Sequence, residues 1–330
     1  MEIAKMDSTQ MKASFYTQYG STDVLHFKEV TTPTPKDNEI LIKIKATTVN
    51  RTDCGFLIAE YFLVRLFWGL FKPKKNILGT EFAGEVVQIG KDVSSFKVGD
   101  AVFGLSADNF GAHAEYLCMP ADGAVALKPK NLDYQQAAAI CEGAYLAMNY
   151  YKAVNLERGH KILINGATGS IGSSGVQLAK YFGAEITAVG NTKNLDLVKS
   201  LGADKVINYE KEDFTKLNDQ FDFVFDAVGK SSFFKTKHLL KRGGVYFSTE
   251  LGFAYANPIL ALLHIKIEGK KVIFPIPTIT QKDVLFFKQL VEEGHYKAVI
   301  DRTYPFEEIV DAYKYVQTGQ KTGNVVVALD

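Results

Sequence analysis

Eight consecutive residues, Asn165-Gly166-Ala167-Thr168-Gly169-Ser170-Ile171-Gly172, place glycines where a chain must turn sharply, approach an anion and pack a helix closely. They follow the apolar run KILING (Lys161 to Gly166) and open a helix-like stretch, Ser170 to Phe182, that ends at Gly183. A strand that leaves such a turn as a helix presents free N–H groups and the positive helix end to phosphate. Gly166 lets the strand turn, Gly169 lets the backbone approach a pyrophosphate, and Gly172 lets the helix lie close to the sheet. Thr168, Ser170 and Ile171 fill the loop between them. Strand, glycine turn and helix together are the context of a dinucleotide-binding fingerprint. Ala167 stands at the first position of the usual G-x-G-x-x-G, so the motif is a variant.

The choice of nicotinamide cofactor falls to the end of the next strand, EITAVG (Glu185 to Gly190). A site for NAD normally presents Asp or Glu there, to accept hydrogen bonds from the ribose 2′-OH. Here Asn191, Thr192 and Lys193 follow without an acid. Lys193 attracts a 2′-phosphate, and Asn191 and Thr192 can donate hydrogen bonds to one. Tyr209, closing VINY on the following strand, reaches the same pocket. These residues favour NADPH. Val228 and Gly229, and then Ser248 and Thr249, end two later strands at the edge where such ligands bind.

A second pattern lies upstream. Gly79 to Gly90, GTEFAGEVVQIG, resembles the zinc alcohol dehydrogenase signature G-H-E-x-x-G-x-V-x-x-x-G. With the glycine motif after it, the chain is identified as a member of the medium-chain dehydrogenase/reductase superfamily, over essentially its whole length from Met11. The resemblance implies an α/β protein in two domains, with an active site in the cleft between them. A GroES-like, mostly β catalytic domain is formed by both chain ends, and a Rossmann doubly wound parallel sheet lies between. It also implies a homodimer, and a cofactor contact at Asn324 in KTGNVVV.

The zinc ligands of that superfamily are all replaced. Thr80 stands for the signature histidine, Asn50 in VNRTD for the first cysteine, and Glu142 in Ile140-Cys141-Glu142-Gly143 for the third ligand. No cysteine lies between Val102 and His113, where a four-cysteine lobe belongs. A catalytic zinc needs three suitable protein ligands and an open position, and Glu81, Glu142 and His113 are a poor set. The chain therefore resembles the zinc-free, quinone oxidoreductase-like branch, through Asn50 and Asp53, the loop from Asn191 to Asn194, and LGADKVINY. The apolar segment before KKNILGTEFAGE also resembles that of chloroplast-type enone reductases and of relatives of the reticulon-interacting mitochondrial protein.

Without a Lewis acid, hydrogen bonds alone polarise the substrate oxygen. That favours quinones, α,β-unsaturated carbonyls and similar apolar carbonyls as hydride acceptors. Asn50 can donate to the substrate oxygen or a cofactor ribose, or can serve a turn. Asp53 can orient Asn50 or a water, or can cap a helix. Tyr61 is a candidate proton donor. Two other readings stay open: a cofactor-binding protein without catalysis, and a zinc alcohol dehydrogenase, which metal analysis would settle.

The elements that must position these groups are legible in outline. Short alternating runs such as ILIKIKATTV (Ile40 to Val49) indicate a compact β domain over residues 11–132. Strand and helix then alternate through residues 133–280, the rhythm of a parallel doubly wound sheet. Residues 281–330 return to complete the first domain, and residues 1–10 form a leader. The chain has 330 residues, 47% hydrophobic and 23% charged, which suits a soluble globular protein. A formal charge of +1 offers no field for nucleic acid. Cys54, Cys118 and Cys141 are an odd number without CxxC spacing, and MEIAKMDSTQ has no signal-peptide core, so a cytoplasmic setting is expected. Phe56 to Phe71 is strongly apolar but is interrupted by Glu60 and Arg65 and is short for a span. It reads as a helix or lid that favours a flat apolar acceptor, with an interfacial helix on a lipid surface as the other reading.

Overall fold

A computed structural model describes residues 10–329; the expected leader, Gln10 apart, lies outside the described residues. In chain order come β1 (Gln10–Phe15), β2 (His26–Thr31), β3 (Glu39–Val49), α1 (Arg51–Ile58), α2 (Phe62–Trp68) and β4 (Glu81–Ile89). Then follow β5 (Ala101–Leu105), β6 (Tyr116–Pro120), β7 (Val125–Leu127), α3 (Tyr134–Ala138) and α4 (Cys141–Val154). The alternating region comprises β8 (Lys161–Asn165), α5 (Ser170–Tyr181), β9 (Glu185–Gly190), α6 (Leu195–Ser200) and β10 (Lys205–Asn208). It continues with β11 (Phe221–Asp226), α7 (Phe233–Thr236), β12 (Leu240–Ser248), α8 (Ala256–Leu262), β13 (Lys266–Ile267) and β14 (Lys270–Ile273). The chain ends with α9 (Gln281–Glu292), β15 (Ile300–Pro305), α10 (Ile309–Gln317) and β16 (Asn324–Ala328).

Two compact units result. One runs up to Cys141 and takes in Ile279–Glu292 and the chain from Ile300; the other holds Glu142–Thr278 and Glu293–Val299. The first unit carries a seven-stranded sheet in which β15, β16, β3, β4, β5 and β7 follow one another and β6 also pairs with β3. β3 is central because Ile40, Ile42, Ile44 and Val49 all reach the core, and β-branched side chains suit a pleated strand. β16 adds on antiparallel to β3, so the end of the chain is built into this sheet. The helix α3 also packs against β3 and β4.

The second unit is a seven-stranded sheet in the order β10-β9-β8-β11-β12-β14-β13, parallel except for β13. The chain lays β8, β9 and β10 outward in one direction, then returns to place β11, β12 and β14 on the other side. The switch point therefore lies between β8 and β11, where open α/β sheets bind ligands. Leu163, Val189, Val224 and Tyr246 fill one core cluster of the sheet. Tyr150 of α4 stacks on Phe247 at 5.0 Å, beside Phe225.

The apolar segment is not one helix. Ala59 takes a left-handed conformation (φ 48°) and ends α1, and α2 starts three residues later. Trp68 packs edge-on against Phe56 at 4.7 Å and Phe110 at 5.7 Å, on the core of the first unit. Phe62 is 61% exposed. Trp68 is therefore a core anchor rather than the tip of a lid. Among the described residues no helix is long and apolar enough to cross a membrane. Trp68→Ala is expected to destabilise the protein by about 2–4 kcal/mol, and Phe62→Ala by less than about 0.5 kcal/mol, read from the first urea transition.

Candidate cofactor and substrate site

The cofactor residues expected from the sequence, Asn324 apart, lie at one edge of the second sheet. Asn165, Asp226 and Ser248 are paired in register across β8, β11 and β12, while Gly190 at the end of β9 pairs with Asn208 of β10. The four loops that leave these strand ends are therefore neighbours. Gly166 has φ +82°, and a Cβ there would lie 2.2 Å from Val228 Cγ1, so the β8 and β11 loops touch at the switch point. A Cβ on Gly172 would lie 2.1 Å from the Gly166 carbonyl oxygen, which explains the glycine where α5 crosses the turn. Gly169 differs: a Cβ there would meet nothing nearer than 3.8 Å. That open space faces the first turn of α5, whose N-cap, Gly169, offers no side-chain cap. The N–H groups of Ser170, Ile171 and Gly172 have no intrahelical acceptor, as at any helix start.

Asp226 organises the neighbouring loop, and the sequence reading missed it. It is fully buried, accepts from Asn165 Nδ2 at 3.0 Å and Ser231 N–H at 2.8 Å, and is 3.3 Å from the Tyr246 hydroxyl. Those bonds hold the turn through Val228 and Gly229, where Gly229 has φ +65°. Ser248 Oγ accepts from Glu250 N–H, and Thr249 N–H donates to the Asp226 carbonyl. The FDFVFDAVG run carried the signal, in an acid closing an otherwise apolar strand.

At the end of β9 the arrangement is more constrained than expected. Thr192 donates through both its N–H and its hydroxyl to Glu210, which arrives from the end of β10. An acid thus does stand beside the loop, supplied by the third strand rather than the second. Asn191 Oδ1 is buried without a hydrogen-bond partner; a ribose hydroxyl can donate to it, and with the amide turned over Nδ2 can donate to a phosphate oxygen. Lys193 and Tyr209 are exposed beside it. The open glycine turn, the uncapped helix start and this orphan fit a dinucleotide.

Asn50, Asp53 and Tyr61 lie in the first unit, as does Asn324. Asn50 caps α1 in a capping box: its Oδ1 accepts from Asp53 N–H, and Asp53 Oδ2 accepts from Asn50 N–H, both at 3.0 Å. Asn50 Nδ2 also donates to Thr80 Oγ1, and Asp53 Oδ1 accepts from Gly79 N–H, at 3.0 Å each. Tyr61 precedes α2 as its N-cap residue without a side-chain cap bond. Asn324 Nδ2 donates to the Ala139 carbonyl at 3.2 Å.

The donors near the zinc signature are likewise engaged. Glu81 accepts from Thr48 Oγ1 at 2.6 Å. His113 is fully buried, with Nε2 2.9 Å from the Thr48 carbonyl and Nδ1 3.1 Å from the Tyr313 hydroxyl. Those partners assign Nε2–H as donor and Nδ1 as acceptor. An amide, a hydroxyl and a carboxylate at Asn50, Thr80 and Glu142 are not the Cys and His donors of a dehydrogenase zinc, and the first two bond each other. This donor set does not fit a catalytic zinc.

Two outcomes follow from this geometry. Gly169→Ala should leave the thermal midpoint unchanged and weaken dinucleotide binding, because the added methyl enters the open space at the helix start without meeting protein. Gly172→Ala should lower the midpoint as well, because its methyl meets backbone. Calorimetry and a binding titration on each variant check the contrast. Burial holds the His113 pKa down at about 4, partly opposed by its bond to Thr48. The unfolded chain binds this proton below about pH 6.5, whereas the folded chain resists it until about 4. The stability His113 contributes is complete above the unfolded pKa and is lost as pH falls toward the folded one, by about 3 kcal/mol in all. Urea unfolding at several pH values should show this slope in the native chain and lose it in His113→Asn.

Comparison with known proteins agrees with the geometry. Residues 36–130 match the alcohol dehydrogenase GroES-like domain family, and residues 201–327 match a family described as zinc-binding dehydrogenase. The chain is 35% identical to 2-methylene-furan-3-one reductase of Solanum lycopersicum, over 97% of this chain and 79% of that protein. It is 33% identical to the chloroplastic NADPH-dependent alkenal/one oxidoreductase of Arabidopsis thaliana, over 96% and 79%. The quinone oxidoreductase from Coxiella burnetii superposes with a TM-score of 0.87 at 26% identity, covering 98% of this chain and all of that one. These matches span almost the whole chain, and the chain belongs to the medium-chain dehydrogenase/reductase superfamily, in its quinone oxidoreductase-like branch.

Proposed function

We propose that this chain transfers hydride from NADPH to a quinone or an α,β-unsaturated carbonyl without using a zinc ion. The observation that carries this reading is the open glycine turn at the switch point of the second sheet, with Lys193 and the Asn191 orphan at the end of the next strand. Support for the substrate class comes from relatives named for an enone, for alkenals and alkenones, and for quinones. All of these accept hydride readily because the resulting charge is delocalised, and so they need less polarisation than a simple ketone.

When bound, NADPH supplies the hydride. The α5 N-terminus, through Thr168, Gly169, Ser170 and Ile171, holds the pyrophosphate with backbone N–H groups. Lys193, Tyr209 and Asn191 hold the 2′-phosphate. Val228, Gly229, Ser248 and Thr249 line the strand ends toward the nicotinamide half, with Asn324 as a further cofactor contact. Asp53 is a positioning residue: it fixes Asn50 at the head of α1, and Asn50 meets the substrate oxygen or the cofactor ribose. Tyr61 or solvent supplies the proton. The chain works as a homodimer in the cytoplasm; buried Cys54 and Cys141 thiols suit a reducing compartment.

A fluorescence titration of the chelator-treated protein with NADPH and NADH tests the cofactor half. Tighter NADPH binding by about tenfold, or 1.4 kcal/mol, is expected, followed by turnover of enals and quinones. Equal binding would overturn the NADPH preference. Binding without turnover of any acceptor would mean a cofactor-binding protein rather than a reductase.

A further inference from the structure

β9 and β10 run parallel, with Gly190 paired to Asn208, and Tyr209 N–H extends the pairing by donating to the Gly190 carbonyl at 3.1 Å. The residues just beyond both strand ends therefore leave the sheet side by side. They close into a ring of hydrogen bonds. Thr192 N–H donates to Glu210 Oε2 at 3.0 Å, and the Thr192 hydroxyl donates to the same oxygen. Asn208 Nδ2 donates to Thr192 Oγ1 at 2.8 Å, and Glu210 N–H donates back to Asn208 Oδ1 at 3.1 Å. The ring has two consequences at the proposed 2′-phosphate position. Both donors of Thr192 are occupied, and a carboxylate is tied one residue from Lys193. The Thr192 hydrogen bonds also hold the Glu210 carboxyl below the usual carboxylate range, so it is charged at neutral pH.

We infer that Glu210, clasped by Thr192 and Asn208, is a specificity-determining residue that moderates the preference for NADPH over NADH. Lys193 attracts a 2′-phosphate, and Glu210 opposes it in two ways: its negative charge repels the phosphate, and its hold on Thr192 withdraws two donors. Neither effect acts on a 2′-hydroxyl, for which a nearby carboxylate is at worst neutral and at best an acceptor. The inference rests on the proposed cofactor reading, and it assigns to β10 the acid that the end of β9 lacks. A single like charge a few ångströms further off than a contact, in a solvated site, changes affinity by about three- to tenfold.

The test is equilibrium binding to the full chain, without turnover. NADPH, NADH, 2′,5′-ADP and 5′-AMP are titrated into the native protein, Glu210→Gln and Glu210→Ala. Both variants are expected to bind NADPH and 2′,5′-ADP about three- to tenfold more tightly while NADH and 5′-AMP change little, and the gain should shrink in high salt as screening grows. If both variants fold with an unchanged thermal midpoint and bind 2′,5′-ADP no better, Glu210 is only a surface clasp and the inference fails. If Glu210→Ala weakens all four ligands and Glu210→Gln restores them, the ring acts by shape alone, which also overturns it. Failure of the native chain to bind any of the four would instead sink the cofactor reading itself, and this inference with it.

Discussion

A methyl group at position 172 would stand 2.1 Å from a backbone oxygen of the turn that precedes it, and the second unit depends on that absence of space. With glycine there, α5 can start directly after the turn that leaves β8. With any side chain there, helix or turn must shift and the ends of β8 and β11 lose their contact through Gly166 and Val228. The same turn needs room at Gly169 and has it. One position is closed because two pieces of backbone meet, and the other leaves space at the start of the helix. Asp226 then secures the far side of the switch point by gathering donors from β8, from its own loop and from β12.

The first unit solves a different problem. The segment Gly79-Thr80-Glu81 is held to its neighbours by a set of buried hydrogen bonds. Asn50 and Asp53 brace the start of α1 against Thr80 and Gly79. Thr48 binds Glu81 through its hydroxyl and His113 through its carbonyl. Buried polar groups satisfied in this way give a defined shape and leave no desolvated donor or acceptor among those named.

Much of this was legible in the order of residues. The strand, glycine turn and helix at Lys161 to Tyr181 are local: each is set by apolar periodicity and by glycines a few residues apart. At the end of the chain, β16 pairs antiparallel with β3, a contact between distant parts of the sequence. Less legible was the division of residues 134–154 into α3 and α4, because α3 packs on β3 and β4, contacts far away in the sequence. Phe56 to Phe71 looked like one apolar element, yet a left-handed Ala59 divides it and Trp68 turns to Phe56 and Phe110.

The sequence by itself determined the fold class, the place of the glycine turn and the replacement of the zinc-signature residues, since each depends on residue type at short spacing. Only the tertiary structure decided which side chains meet across strands. Glu210 reaches Thr192 because β9 and β10 pair in parallel with one particular register, and no periodicity within either strand contains that register. His113 is a neutral core residue, not a stray ligand, because folding brings Tyr313 from 200 positions away to its ring. Contacts of that range follow from how whole elements pack, and the energy that selects them is shared across the core rather than written at either residue.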